Sequence, residues 1–145
     1  MSPTVPRSRR SKIAAGAAGV AAVVALWAVP AGAHLDPSPT EAKGASTTTI
    51  TFTVPHGCDG SPTTKIVIQL PEGTTNAAAG SVDGWKGSVE GREVTWSGGS
   101  LPDDQQLGFP ITMTLPDTEG YVRFPTVQTC EKGESAWIEI PAKGQ

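Results

Sequence analysis

Thr47-Thr48-Thr49-Ile50-Thr51-Phe52-Thr53-Val54 decides the fold class of this chain. Thr48, Ile50, Phe52 and Val54 alternate with four threonines, a period of two built from β-branched and aromatic residues. That pattern marks a strand with one apolar face and one wet face. A helix needs its apolar residues three and four apart, and residues 34–145 do not show that spacing. Pro55-His56-Gly57-Cys58-Asp59-Gly60-Ser61-Pro62 then breaks the run with residues that favour turns. Beyond it, Lys65 to Leu70 reads as the next strand, with Ile66, Ile68 and Leu70 on one side.

The same grammar continues toward the C-terminus. Pro71-Glu72-Gly73 ends the second strand, and Thr74 to Gly84 reads as a connection of low hydrophobicity. Trp85 to Glu90 and Glu93 to Trp96 form a hairpin turned at Glu90-Gly91-Arg92. Gly98-Gly99 followed by Leu101-Pro102-Asp103-Asp104 reads as a further loop. Leu107 to Leu115, Tyr121 to Thr129 and Ala136 to Ile140 complete the strands. About seven short strands in one small domain predict an all-β fold, an antiparallel β-sandwich of the immunoglobulin-like kind. Residues 35–46 are polar and proline-rich at their start, so they stay mobile unless a metal or an edge-strand pairing tethers them.

Upstream lies a different kind of sequence. The basic stretch Arg7-Ser8-Arg9-Arg10-Ser11-Lys12 precedes an apolar run from Ile13 to Pro30 and then Ala31-Gly32-Ala33. This is the layout of an export signal with a small-x-small cleavage site, so residues 1–33 are expected to be a signal peptide and residues 34–145 the mature domain. The run is rich in Ala and Gly, too weakly apolar for a retained transmembrane anchor, and no second apolar stretch follows near the C-terminus. The expected destination is the periplasm, the cell envelope or the exterior. Four of the eleven Lys and Arg residues fall in the signal, which leaves seven basic against fourteen acidic side chains, a formal charge of −7. That balance excludes nucleic acid and anionic membrane surfaces as partners.

Cys58 and Cys130 are the two cysteines of the chain. In an oxidising compartment such a pair forms one disulfide. A dithiol site for Cu(I) is the competing reading, and the C-x-x-C spacing that would favour it is missing.

Cleavage after Ala33 would leave His34 with a free α-amine next to its imidazole. Those two nitrogens close one compact chelate ring, and a nitrogen-rich site favours Cu(II) at the top of the Irving–Williams order. The bland alternative is an export product that merely begins at an arbitrary residue. His56 is the only other histidine and sits in the most turn-rich loop. It is either a further ligand or a loop histidine bonded to nearby backbone. The carboxylates Asp36, Glu41, Asp59, Glu131, Glu134 and Glu139 are not ranked by composition. Trp137, seven residues after Cys130, can shield a cuprous ion through its indole, or serve as an ordinary sheet aromatic like Trp85 and Trp96. The motifs of serine hydrolases, zinc proteases and phosphate-binding loops are missing, which argues against an enzyme.

Several longer motifs point the same way. His34 directly after the signal, Pro55-His56-Gly57-Cys58-Asp59-Gly60-Ser61-Pro62-Thr63-Thr64 and Gly84-Trp85 resemble the YcnI-like copper-binding domain family. So do Thr95-Trp96-Ser97-Gly98-Gly99-Ser100-Leu101-Pro102-Asp103-Asp104, Phe124-Pro125-Thr126-Val127-Gln128-Thr129-Cys130-Glu131 and Trp137-Ile138-Glu139-Ile140-Pro141. The resemblance implies a β-sandwich outside the cytoplasmic membrane that handles copper. It implies a brace in which the N-terminal histidine gives amine and imidazole, an acidic side chain completes the site and a tryptophan lies alongside. Here these are His34 and Trp137. The stretch where the acid is expected, Ser46 to Thr49, has no carboxylate, so Glu131, Glu139 or His56 stands in for it. A copper-binding chaperone or scavenger that passes copper to a membrane copper transporter or a copper oxidase is the resulting expectation. Its rivals are a copper oxygenase with a two-histidine brace and a metal-free binding module of the cell surface.

Overall fold

The computed structural model of the protein describes residues 35–137. In chain order their strands are β1 (Asp36–Ser38), β2 (Thr47–Val54), β3 (Thr63–Gln69), β4 (Thr75–Ala79), β5 (Lys86–Glu90), β6 (Glu93–Leu101), β7 (Leu107–Thr114), β8 (Thr126–Cys130) and β9 (Glu134–Trp137). They form two antiparallel sheets, β1-β2-β7-β4 and β5-β6-β3-β8-β9. The fold is the β-sandwich that the alternating sequence predicts.

The period of two decides what lies between the sheets. Ile50, Phe52 and Val54 of β2 and Phe109, Ile111 and Met113 of β7 point inward and are buried. Ile66 and Ile68 of β3 and Val94 and Trp96 of β6 meet them from the other sheet. Phe109 sits at the centre of an aromatic group, with the Trp85 and Trp96 rings at 5.2 and 5.3 Å between centroids. The Trp96 indole N–H donates to the Gly80 carbonyl at 3.1 Å, so burying the ring strands no donor. On the outer face of the first sheet, threonine hydroxyls pair across strands, Thr47 with Thr114 at 3.0 Å and Thr49 with Thr112 at 2.7 Å.

Four segments differ from the sequence expectation. Thr75–Ala79, read as connection, is an edge strand on β7. Alanine is a poor strand former, and here the half-buried Ala77 and Ala79 gain their place by packing on the core. Gly98-Gly99, read as a loop, continues β6. Gly99 lies against the Trp85 ring, where a Cβ would overlap the indole, so glycine here permits close packing. The strand read as Tyr121 to Thr129 is confined to Thr126–Cys130, with Tyr121 wholly exposed. At the other end of the chain, Asp36, Pro37 and Ser38 pair with Thr53, Phe52 and Thr51. An edge-strand pairing therefore tethers the segment that the sequence left free.

Candidate metal centre

The loop between β2 and β3 is built on one turn closed by two hydrogen bonds. Cys58 and Ser61 exchange backbone hydrogen bonds, N to O at 3.0 Å and 2.9 Å. The residues between them, Asp59 and Gly60, have φ of 47° and 83°. Positive φ at both central positions is what an Asp-Gly hairpin turn requires. One residue earlier, the Gly57 N–H donates to the Asp103 carbonyl at 3.2 Å. A Cβ on Gly57 would overlap the Ser61 carbonyl and come within 2.9 Å of Asp103 Oδ1. The loop is therefore wedged between its own hairpin and the Asp103 segment.

Cys58 and Cys130 form a disulfide that spans 72 positions and ties this loop to the end of β8. The following turn is anchored as well. Glu131 N–H donates to the Pro62 carbonyl at 2.9 Å, and Lys132 N–H to Ser61 Oγ at 2.8 Å. Closing so long a loop is worth about 4 kcal/mol in the chain-entropy model. Reduction is expected to lower unfolding stability by about that amount, measured by denaturant titration with and without a thiol reductant.

His56 is half-buried at the base of this loop. Its Nδ1 lies 2.7 Å from the Gly57 carbonyl oxygen. A carbonyl only accepts, so Nδ1 is the donor, and in the neutral ring Nε2 then holds the lone pair. Ligating histidines are commonly held in this way, with one ring nitrogen donating to backbone and the other presented to the metal. The His56 carbonyl in turn accepts from Gln128 Nε2 at 2.8 Å.

The other residues singled out by sequence are placed as follows. Glu131 is exposed and lines an open cleft of about 510 Å³ together with Cys58, Asp59 and Glu134. Trp137 pairs through its backbone with Thr126, four positions along β8 from Cys130. His34 and Glu139 lie outside the described residues, as does the predicted signal peptide. The first described residue, Leu35, is half-buried and packs against the core. Asp36 then faces Thr53, three positions before His56, so the N-terminal strand enters beside the histidine loop. Ser46 to Thr49 belongs to the other end of β2, where Thr47 faces Thr114. That is about 20 Å along the strand from Thr53 at the usual rise per residue.

Sequence reasoning missed two residues. Asp103 was read as part of a plain loop, yet its main chain is bonded to Gly57 and its carboxylate lies close by. Gln128 has no role of its own in the sequence reading beyond a strand and a family motif, yet it is fully buried against His56. Among the described residues no three His, Cys, Asp or Glu side chains converge on one metal position. What these residues offer copper is the one oriented imidazole with a carboxylate loop beside it, and an imidazole nitrogen suits that ion.

Fold and site together define an immunoglobulin-like β-sandwich domain whose single disulfide pins a histidine-bearing loop to the end of β8. Comparison with known proteins narrows this. The family described as a domain of unknown function, DUF1775, matches residues 34–93 and 87–145, and the chain belongs to this family, the YcnI type that its motifs resemble. The copper-binding protein CutI of Bacillus subtilis (strain 168) is 29% identical over 99 residues, 63% of this chain. The matched part is 48% of CutI, so the chain spans about half the length of that relative. A crystal structure of an uncharacterized protein from Nocardia farcinica, described as having an immunoglobulin-like fold, superposes with a TM-score of 0.66. That match is 26% identical and covers 77% of this chain and 88% of the other.

Proposed function

We propose that the protein is exported, cleaved after Ala33, and carries Cu(II) on the amine and imidazole of His34, with His56 Nε2 as a further ligand. Bound copper is cargo in this reading, passed on to a membrane copper transporter or a copper oxidase. The observation that carries it is the state of His56, whose Nδ1 proton is committed to the Gly57 carbonyl while Nε2 is left to bind. The β1 register supports it. His34 precedes Leu35, which keeps its Cα within about 3.8 Å of that residue. Asp36 faces Thr53 across the β1–β2 ladder, three positions before His56, so the described chain begins beside the histidine loop. The name of the CutI relative supports copper as the ion.

His34 and His56 together match the ligand set of the oxygenase rival as well; we read a carrier because so few protein ligands let copper leave and because the relative CutI is named for binding copper. Asp103 is the carboxylate best situated to balance the charge, because its main chain is bonded into the His56 loop. Glu131 opens into the cleft beside Cys58 instead. Glu139 and Trp137 enter from the family resemblance, the first as an alternative acid and the second as a shield over the ion.

The test is His56→Ala in the mature protein. Paramagnetic resonance of the Cu(II) form is expected to lose the coupling of one imidazole nitrogen. Affinity is expected to fall at least about tenfold, since losing even an outer-shell partner costs that much. Unchanged coupling and affinity would remove His56 from the site.

A further inference from the structure

Gln128 is fully buried in the interior of the sandwich, and the alternation along β8 explains how it came there. Cys130 faces inward to reach Cys58, and a period of two turns Gln128 and Thr126 to the same side. Val127, the apolar member of the strand, is left half-buried on the other face. The Gln128 amide nitrogen donates twice, to the His56 carbonyl at 2.8 Å and to Thr63 Oγ1 at 2.7 Å. The His56 carbonyl can only accept, so the nitrogen faces it and Oε1 takes the remaining direction. That oxygen is buried without a partner.

A buried carbonyl without a donor is unfavourable, and leucine or methionine would fill similar space without that burden. The amide's cost therefore needs a return elsewhere, and one of its two bonds is to the backbone of the one described histidine. We infer that Gln128 is the positioning residue for His56: it fixes the carbonyl of that residue so that the imidazole keeps Nδ1 on Gly57 and Nε2 free. This inference rests on the copper reading for its purpose, though not for its geometry. Three bonds converge on two adjacent residues. Gln128 holds the His56 carbonyl, the His56 ring holds the Gly57 carbonyl, and Asp103 holds the Gly57 N–H. Without Gln128, the His56–Gly57 peptide keeps only its bond to the Asp103 carbonyl, and the seat of the ring on the Gly57 carbonyl loosens.

Two readouts test this on the mature protein, one without copper. Nitrogen NMR of the copper-free protein reports which His56 nitrogen carries the proton. Paramagnetic resonance and calorimetry report Cu(II) coordination and affinity. The variants are Gln128→Met, of similar length and without a donor, and Thr63→Val, which removes the other partner and spares the His56 bond. Gln128→Asn, whose shorter amide falls short of the His56 carbonyl, serves if the methionine variant does not fold.

The inference expects Gln128→Met to mix the two His56 tautomers and to weaken copper binding by about 10- to 100-fold, the usual effect of losing an outer-shell partner. It expects Thr63→Val to leave both readouts as in the parent. A single Nδ1–H tautomer retained in Gln128→Met overturns it. So do equal losses in both variants, which would mean that the buried network acts through stability alone. If the tautomer responds as expected while copper binding is absent from the parent, the positioning role stands and the copper reading falls.

Discussion

Gly57→Ala is expected to cost about 3 kcal/mol of stability, the upper part of the range for forced overpacking, and to lower copper affinity by about tenfold, as loss of His56 does. The added methyl group meets the Ser61 carbonyl and the Asp103 backbone, with Asp103 Cα at 3.1 Å. Neither can step aside cheaply. Ser61 is locked to Cys58 by two backbone hydrogen bonds, and Cys58 is fixed by the disulfide. Asp103 is held by the bond from Gly57 itself, which the methyl group would stretch. A small domain has about 5 to 15 kcal/mol in all, so the variant still folds with a displaced histidine loop. Urea unfolding and a Cu(II) titration check both parts. An unchanged midpoint would mean that the loop is not wedged as described.

Phe109→Ala carries the other large effect, about 4 kcal/mol. The ring is fully buried and lies opposite Phe52 in the β2–β7 register. It makes an edge-on contact with Trp85 at 87° between planes and a tilted one with Trp96. Removing it empties the meeting point of both sheets, and two indoles held by their own backbone contacts cannot collapse into the gap. The Trp96 indole, for example, is anchored to the Gly80 carbonyl. Denaturant unfolding followed by tryptophan fluorescence measures the loss. A change under about 1 kcal/mol, the size of an ordinary substitution, would contradict this view of the core.

What the sequence disclosed and what it hid follow one physical line. β2 and β7 were legible because their inward residues are large and apolar while their outward ones are mostly threonine, so burial and pattern coincide. β4 was hidden because Thr75-Asn76-Ala77-Ala78-Ala79 has no such contrast, and Asn76, at a φ of 53°, interrupts its ladder. β8 carried a misleading pattern. Its apolar Val127 lies on the outer face, because the disulfide at Cys130 dictates which side of the strand turns inward.

The candidate site divides in the same way. The chemistry of His34 and His56 could be read from residue types and from the export-like leader. The disulfide followed from compartment and count. Their arrangement could not, because β1 pairs with β2 through backbone bonds that no side chain announces. Asp103 reaches Gly57 from a loop more than forty positions away in sequence. The Asp59-Gly60 turn is the exception: that dipeptide is a hairpin signal in its own right, and it marks the tip of the loop.

The central claim is that copper is held by the new N-terminus, and one titration tests it most directly. Cu(II) is added to the protein beginning at His34 and to a form extended by one alanine before it, with calorimetry and paramagnetic resonance on both. The account predicts tight binding to the first and its loss in the second, because the extension turns the free amine into an amide and opens the chelate ring. Equal binding by both forms, or binding by neither, would contradict it.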